Sequence, residues 1–173
     1  VLLLTPAARW WLYLLVYYVM QVGQGVAQGN LELPYIVASN IANVIEPLVD
    51  GVEVYPAMLQ AIDEARVSVA LASYIFHADG IGENFVNALI RAHQRGVAVR
   101  VLLDDVSCRF SLHSPAKPLR QAGVPVGDFN PPVVPARVNA FNLRNHRKIL
   151  VVDGALGFTG GMNIDRRYWG ERP

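Results

Sequence analysis

Five positions near the carboxyl end of the chain could together do chemistry on a phosphate group. His146 and Lys148 precede an apolar β-branched run that meets Asp153-Gly154, a dipeptide favoured in tight hairpin turns. A Gly-Gly pair ending at Gly161 follows the second apolar run, and Asn163 comes two residues later. An imidazole can act as a nucleophile or proton shuttle, while an ammonium and an amide can donate hydrogen bonds to phosphate oxygens.

The alternation of side chains along a strand predicts which of these groups share a surface. His146 and Lys148 are two residues apart and should project from one face, whereas Asp153 has the opposite parity. With a two-residue turn, His146 would pair with Gly161, which leaves room for a ligand, and Asn163 would lie one same-face step further along. We expect Asp153 to cap the turn or to anchor a neighbouring element. On residue types alone, a His-x-Lys pair also fits a solvated sheet edge.

The complete spacing is more specific than its parts. His146-x-Lys148, then four residues, Asp153, six residues and a Gly-Gly-x-Asn tetrad ending at Asn163 resembles the HKD motif of the phospholipase D superfamily at every defining position. The surrounding residues are most similar to the first HKD motif of bacterial cardiolipin synthases, and the similarity extends over about residues 45–170. The resemblance implies a catalytic set of His146, Lys148 and Asp153. It also implies that Lys148, Gly161 and Asn163 bind the substrate phosphate, without a cofactor.

By this resemblance the chain would be the N-terminal half of a phosphatidyltransferase that makes cardiolipin from two phosphatidylglycerols through a phosphohistidine intermediate. Members of the superfamily use two HKD motifs, and this sequence contains one. The second would come from a missing C-terminal half or from another copy in a homodimer. Two alternatives stay open: a phospholipase D-type phosphodiesterase that acts on lipid or nucleic acid with water, and a catalytically silent membrane-binding fragment. The resemblance implies an anionic phospholipid partner and the bacterial inner membrane as location.

The composition limits these alternatives. The 173 residues suffice for one domain with a buried core. The 15 Lys and Arg against 14 Asp and Glu give a net charge of +1, so there is no general attraction to polyanions and nucleic acid is not an expected partner. Cys108 is the single cysteine, which excludes an intramolecular disulfide, and the four histidines show no ligand spacing. We therefore expect no metal.

The N-terminal segment, residues 1–30, is predicted to associate with a membrane. Residues 1–22 are almost wholly apolar, but the uninterrupted run 10–20 is shorter than the ~20 apolar residues that a spanning helix needs. Its tryptophans and tyrosines favour the headgroup region, which indicates an interfacial or partly spanning helix. A buried helix packed on the domain is the alternative. After a Gly- and Asn-containing linker, residues 31–173 would form the first phospholipase D-like catalytic domain, expected to be truncated.

Sequence periodicity predicts an α/β fold with a mixed, largely parallel sheet flanked by helices. Pro56 is typical of a first helical position, which indicates a helix over 56–66. Apolar residues on both faces indicate buried strands over 67–76 and 97–103, and the segment 84–95 between them has helical spacing. This order predicts a parallel βαβ unit.

The carboxyl ends of parallel strands gather ligands, and polar residues follow both buried strands. His77 is either a headgroup contact or an ordinary loop histidine. Asp104 either orients a catalytic group or ends its strand in solvent. In relatives a further acidic residue after the motif orients the histidine; we assign none here, and Glu171 is a poor candidate. The residues expected at this rim are His77, Asp79, Asp104 and Asp105.

Overall fold

A computed structural model describes residues 35–39, 44–104, 113–129 and 144–170 of the chain. The N-terminal segment 1–30 lies outside these residues, as do Asp105, Cys108 and Glu171. Within the described part, no helix has both the length and the apolarity needed to cross a bilayer. Membrane association and the domain boundary at residue 30 therefore stay predictions.

The described residues build one mixed sheet. Its strands in chain order are β1 (Tyr35–Ser39), β2 (Val44–Leu48), β3 (Ser68–Ser73), β4 (Ala98–Asp104), β5 (Val126–Phe129), β6 (Ile149–Val152) and β7 (Leu156–Thr159). Across the sheet the order is β2-β1-β7-β6-β3-β4-β5. The β3–β4 and β4–β5 pairings are parallel, while the other pairings of the described strands are antiparallel. The mixed sheet is confirmed, but its parallel part is smaller than predicted because the β6–β7 hairpin inserts antiparallel between β3 and β1.

The helices lie between the strands as the α/β pattern predicts, with one boundary wrong. They are α1 (Asp50–Glu64), α2 (Ile81–Gln94) and α3 (Ala116–Gln121), and a 3₁₀ turn covers Arg166–Tyr168. α1 begins at Asp50, so Pro56 lies inside the helix instead of opening it. The Glu53 carboxylate accepts the Val49 N–H at 2.7 Å and so caps the earlier start. Burial of Val54 and Tyr55 on this first part of α1 offsets the backbone hydrogen bond that Pro56 cannot make.

The core lies between α1, α2 and one face of the sheet. Val99, Val101 and Leu103 alternate with exposed residues along β4, the period-2 pattern of a strand covered on one side. β3, α2 and β4 form the predicted parallel unit. The largest fully buried side chains of the core are Tyr55, Phe76, Phe85, Phe158, Met58, Ile62, Leu89, Leu103, Leu119 and Leu150.

The predicted β6–β7 hairpin is present, but its register differs by one residue. Asp153 and Gly154 have positive φ values of 53° and 63°, as the turn signal requires. Val152 nevertheless pairs with Leu156, because Ala155 adds a third residue to the connection. The prediction that Gly161 lies opposite His146 is therefore wrong: this register, continued past the last pair at Ile149, would set Met162 there.

Candidate active site

His146 and Lys148 meet on the ring of Tyr74, the residue that follows β3. The His146 and Tyr74 rings stack with their centroids 4.0 Å apart and an interplanar angle of 30°. Lys148 Nζ lies 5.2 Å from the centroid of the same tyrosine ring and donates a 2.8 Å hydrogen bond to the His146 carbonyl oxygen. The structure thus brings the two side chains together, although β6 begins only at Ile149. The motif gave no sign of Tyr74.

Lys148 carries its charge in an unusually dry place. The residue is 7% exposed, because it continues the inward parity of Leu150 and Val152 along β6. Burial lowers the pKa of Lys148 to about 8. An ammonium with so little water around it attracts an anion more strongly than a fully hydrated one does. This environment is suited to binding a phosphate oxygen.

The surroundings of His146 favour the neutral form of its imidazole. Partial burial of the ring lowers the pKa of His146, and the neighbouring Lys148 charge lowers it further, while Asp104 opposes both effects. The residue still counts as exposed, so a ligand can reach it. A neutral imidazole has a nitrogen lone pair available for attack on phosphorus.

Asp104 holds the backbone next to His146. It is fully buried at the end of β4, and its carboxylate accepts the Asn145 N–H at 3.0 Å. Asn145 is itself buried, and its side-chain oxygen accepts the Arg147 backbone N–H at 3.3 Å. The expectation that Asp104 ends its strand in solvent is therefore wrong, since the carboxylate fixes the segment that carries the histidine.

The Asn163 side chain holds neighbouring segments of the chain together. Residues 162–165 run beside the extension of β3, with Phe76 bridged to Ile164. The Asn163 side-chain oxygen accepts the Ile75 N–H at 3.1 Å, and its amide nitrogen lies 3.3 Å from the Tyr168 hydroxyl. The amide oxygen is therefore committed to the backbone, while the amide nitrogen carries the hydrogen-bond donors.

The Tyr55 hydroxyl on α1 binds the backbone of the same segment. It lies 2.7 Å from the Asn163 carbonyl oxygen and 3.0 Å from that of Asp165. Burial raises the pKa of Tyr55 strongly, so the hydroxyl keeps its proton. No signal in the sequence pointed to this residue, because Tyr55 lies just before the helix predicted over 56–66.

Asp153 anchors the hairpin to the start of β3. Its carboxylate accepts the backbone N–H groups of Arg66, Val67 and Ser68 at 3.0, 2.8 and 2.8 Å, and its own N–H donates to the Ser68 carbonyl oxygen at 2.7 Å. Burial alone would raise the pKa of Asp153, but these hydrogen bonds outweigh it and the pKa is lowered. The expected anchoring is confirmed, and the catalytic role that the resemblance implies for Asp153 stays a prediction.

Gly161 lies at an open place beside the motif. The residue is exposed, and a Cβ atom built on it would meet no atom of the described chain within 4 Å apart from its own two chain neighbours. The described residues therefore leave room for a ligand beside Gly161, and its part in phosphate binding stays a prediction.

A second histidine, His77, pairs with Asp165, an acidic residue shortly after the motif. His77 Nδ1 lies 2.9 Å from Asp165 Oδ2, and Asp165 is 2% exposed. Arg167 donates two hydrogen bonds to the same carboxylate, from Nε to Oδ1 at 3.0 Å and from a terminal nitrogen to Oδ2 at 2.7 Å. Burial raises the pKa of Asp165, but the Arg167 hydrogen bonds outweigh it and the pKa is lowered. The sequence signal that could have pointed to Asp165 is its position two residues after Asn163.

Comparison with known proteins agrees with the motif. A family model described as cardiolipin synthase, PLD-like domain, matches residues 58–172. The chain belongs to this family. It is 40% identical over 124 residues to a cardiolipin synthase of Alkalihalophilus pseudofirmus, covering 72% of this chain and 25% of the relative. Cardiolipin synthase 1 of Bacillus anthracis is 36% identical over 123 residues, covering 71% and 24%. The chain thus spans about a quarter of the length of these relatives.

The fold has a counterpart among solved structures. Nuc, a phospholipase D family member from Salmonella typhimurium, superposes with a TM-score of 0.56 at 23% sequence identity, covering 82% of this chain and 78% of that one. This likeness confirms the phospholipase D-like fold.

Proposed function

We propose that the protein to which this chain belongs is a phosphatidyltransferase that joins two phosphatidylglycerol molecules into cardiolipin. One observation carries the proposal: an exposed imidazole and a buried ammonium lie against the same aromatic ring, at the HKD motif of a cardiolipin synthase family. The family and the relatives' names support the lipid substrate.

In the first step a His146 ring nitrogen attacks the phosphorus of one phosphatidylglycerol. The N–P bond forms while the P–O bond to the headgroup glycerol breaks, and the departing alkoxide takes up a proton to leave as glycerol. In the second step a headgroup hydroxyl of another phosphatidylglycerol attacks phosphorus, loses its proton and releases His146. Splitting the displacement in two gives each step a better nucleophile or leaving group than direct exchange would have.

The remaining motif residues stabilise the phosphate during these steps. The Lys148 ammonium faces charge that builds on the non-bridging oxygens, and its dry surroundings strengthen that attraction. Asn163 donates from its amide nitrogen, because its oxygen is already used by Ile75. The backbone at Gly161 admits the phosphate without a side chain in the way.

The group that protonates the leaving glycerol would be a histidine of another HKD motif. The greater length of the relatives favours a second motif elsewhere in the same protein over a homodimer. In either arrangement, His146 supplies the nucleophile and the facing histidine protonates the leaving glycerol.

Trapping the intermediate tests the proposal. The complete protein, in detergent, is mixed with phosphatidylglycerol labelled with ³²P, and label bound to protein is measured after an alkaline quench, which preserves phosphohistidine. We expect acid-labile label in the wild type and in His93→Asn, a control histidine on α2, and none in His146→Asn. Cardiolipin production by His146→Asn would contradict the mechanism. Phosphatidic acid as the main product would favour hydrolysis over transfer.

A further inference from the structure

His77 is a positioned histidine for which the HKD chemistry has no role. It lies on the segment after β3, and its side chain is 30% exposed, so one edge of the ring reaches solvent. The buried Asp165 carboxylate lies 2.9 Å from Nδ1 and is held ionised by Arg167. An ordinary loop histidine would not need a nine-tenths buried carboxylate to orient it.

The pairing with Asp165 fixes which ring nitrogen can meet a ligand. A carboxylate accepts a hydrogen bond from an N–H, so the proton of the neutral ring resides on Nδ1. Nε2 then keeps its lone pair and acts as a hydrogen-bond acceptor. The geometry therefore presents a fixed acceptor at this edge of the fold.

His77 lies close to the phosphate-binding part of the motif. The Ile75 N–H is bound by the Asn163 side chain, and the His77 N–H donates to the Ile164 carbonyl oxygen at 3.1 Å. Two residues of extended chain cover roughly 6.5 Å. His77 is thus one such step along the chain from the contact that holds Asn163, a separation that a small headgroup can bridge.

The charges around His77 favour a hydroxyl over a second phosphate. Asp165 binds the Arg167 guanidinium directly, and the Asp79 charge also raises the pKa of Arg167, so two carboxylates lie near one cation. Among the described residues, Asp79 Oδ1 is buried without a hydrogen-bond partner, which adds an unused acceptor two residues from His77. Acceptors in excess attract the hydrogen of a hydroxyl group and repel an anion.

We propose that His77 Nε2 accepts a hydrogen bond from a hydroxyl of the glycerol headgroup that takes up the phosphatidyl group. His77 is then a specificity-determining residue for a polyol acceptor, positioned by Asp165. This inference rests on the proposed transfer reaction and adds the residue that selects its acceptor.

The experiment separates formation of the intermediate from its transfer. The complete protein is first loaded with labelled phosphatidyl group, and glycerol or 1-propanol is then added as a competing acceptor in water. Glycerol and propanol differ in the extra hydroxyls that His77 could recognise. The variants are His77→Leu, which removes the acceptor atom, and His77→Gln, whose side-chain oxygen can replace Nε2. His93→Leu is the matched control, because His93 lies in the last turn of α2, whereas His77 lies beside the first turn of that helix.

We expect His77→Leu to load with label as the wild type does but to lose about fivefold in the preference for glycerol over propanol, the effect of one neutral hydrogen bond. His77→Gln should restore part of that preference, and His93→Leu should leave it unchanged. An unchanged preference in His77→Leu would overturn the inference, and so would a loss confined to the loading step, which would mean a contact with phosphate or a purely structural role. Failure of the wild type to load at all would instead contradict the proposed function.

Discussion

Replacing Asp153 should loosen the hairpin next to the proposed catalytic segment while leaving the proposed phosphate-binding groups in place. Its carboxylate joins residues 85–87 positions apart in the sequence by accepting the N–H groups of Arg66, Val67 and Ser68. The backbone at Asp153 also has a φ of 53°, which Asn tolerates and Ala does not. Asp153→Asn and Asp153→Ala therefore separate the effect of the carboxylate from that of the backbone.

The size of the loss follows from these contacts. Hydrogen bonds to a charged group contribute about 1.5–3 kcal/mol each when buried, but water can replace the carboxylate at the exposed Arg66 and Val67. We therefore expect Asp153→Asn, which keeps one acceptor oxygen, to lower the free energy of unfolding by about 1 kcal/mol. Asp153→Ala should lower it by about 3 kcal/mol, because it also adds about 1 kcal/mol of backbone strain.

Urea unfolding of the chain in mild detergent measures both losses. With a dependence of about 2 kcal/mol per molar urea, Asp153→Ala should shift the midpoint down by about 1.5 M. The pKa of Asp153 is lowered on folding, so its contribution is complete above the unfolded value near 3.8 and is lost as the pH falls through the lower folded value. The gap between wild type and Asp153→Asn should thus be constant from about pH 5 to 7 and shrink below about pH 4. Equal midpoints for Asp153→Ala and the wild type at pH 7 would refute the anchoring.

Two further substitutions test the site itself. Lys148→Met should abolish labelling of His146 yet raise the stability at pH 7 by up to about 3 kcal/mol, because burial lowers the pKa of Lys148 from 10.5 to about 8. The free energy of unfolding of the wild type should rise between pH 8 and 10.5, where its unfolded state binds more protons than the folded state. The same rise in Lys148→Met would contradict this explanation. Tyr74→Phe should keep the labelling rate of the complete protein, whereas Tyr74→Leu should slow it by about two- to tenfold through loss of the ring contact with His146. Equal rates for these two variants would show that the stacking is irrelevant.

Local patterns in the sequence already identified the family and the principal elements. Asp153-Gly154 between two apolar runs predicts the hairpin, and the strand-helix-strand periodicity predicts the parallel unit of β3, α2 and β4. Both signals depend on residues within a few positions of each other, because turn geometry and side-chain alternation are properties of short segments. The spacing of the HKD motif is of the same kind, and it alone singles out His146 and Lys148.

The features that were mispredicted or missed are contacts between distant segments. The start of α1 at Asp50 depends on the burial of Tyr55 against the core. The burial of Asp104 depends on the later segment that places the Asn145 N–H against its carboxylate. The one-residue shift of the hairpin comes from an extra loop residue that the turn dipeptide does not reveal.

The sequence by itself determined which residue types are available for phosphate chemistry and the family to which they belong. Only the tertiary structure decided how they are held: the Tyr74 ring against His146, the dry position of Lys148 and the Asp165 carboxylate on His77. Each of these depends on β3 lying beside the segments that carry the motif. The physical reason is that burial and hydrogen bonding, which set the charge state of these groups, arise from neighbours that are far apart along the chain.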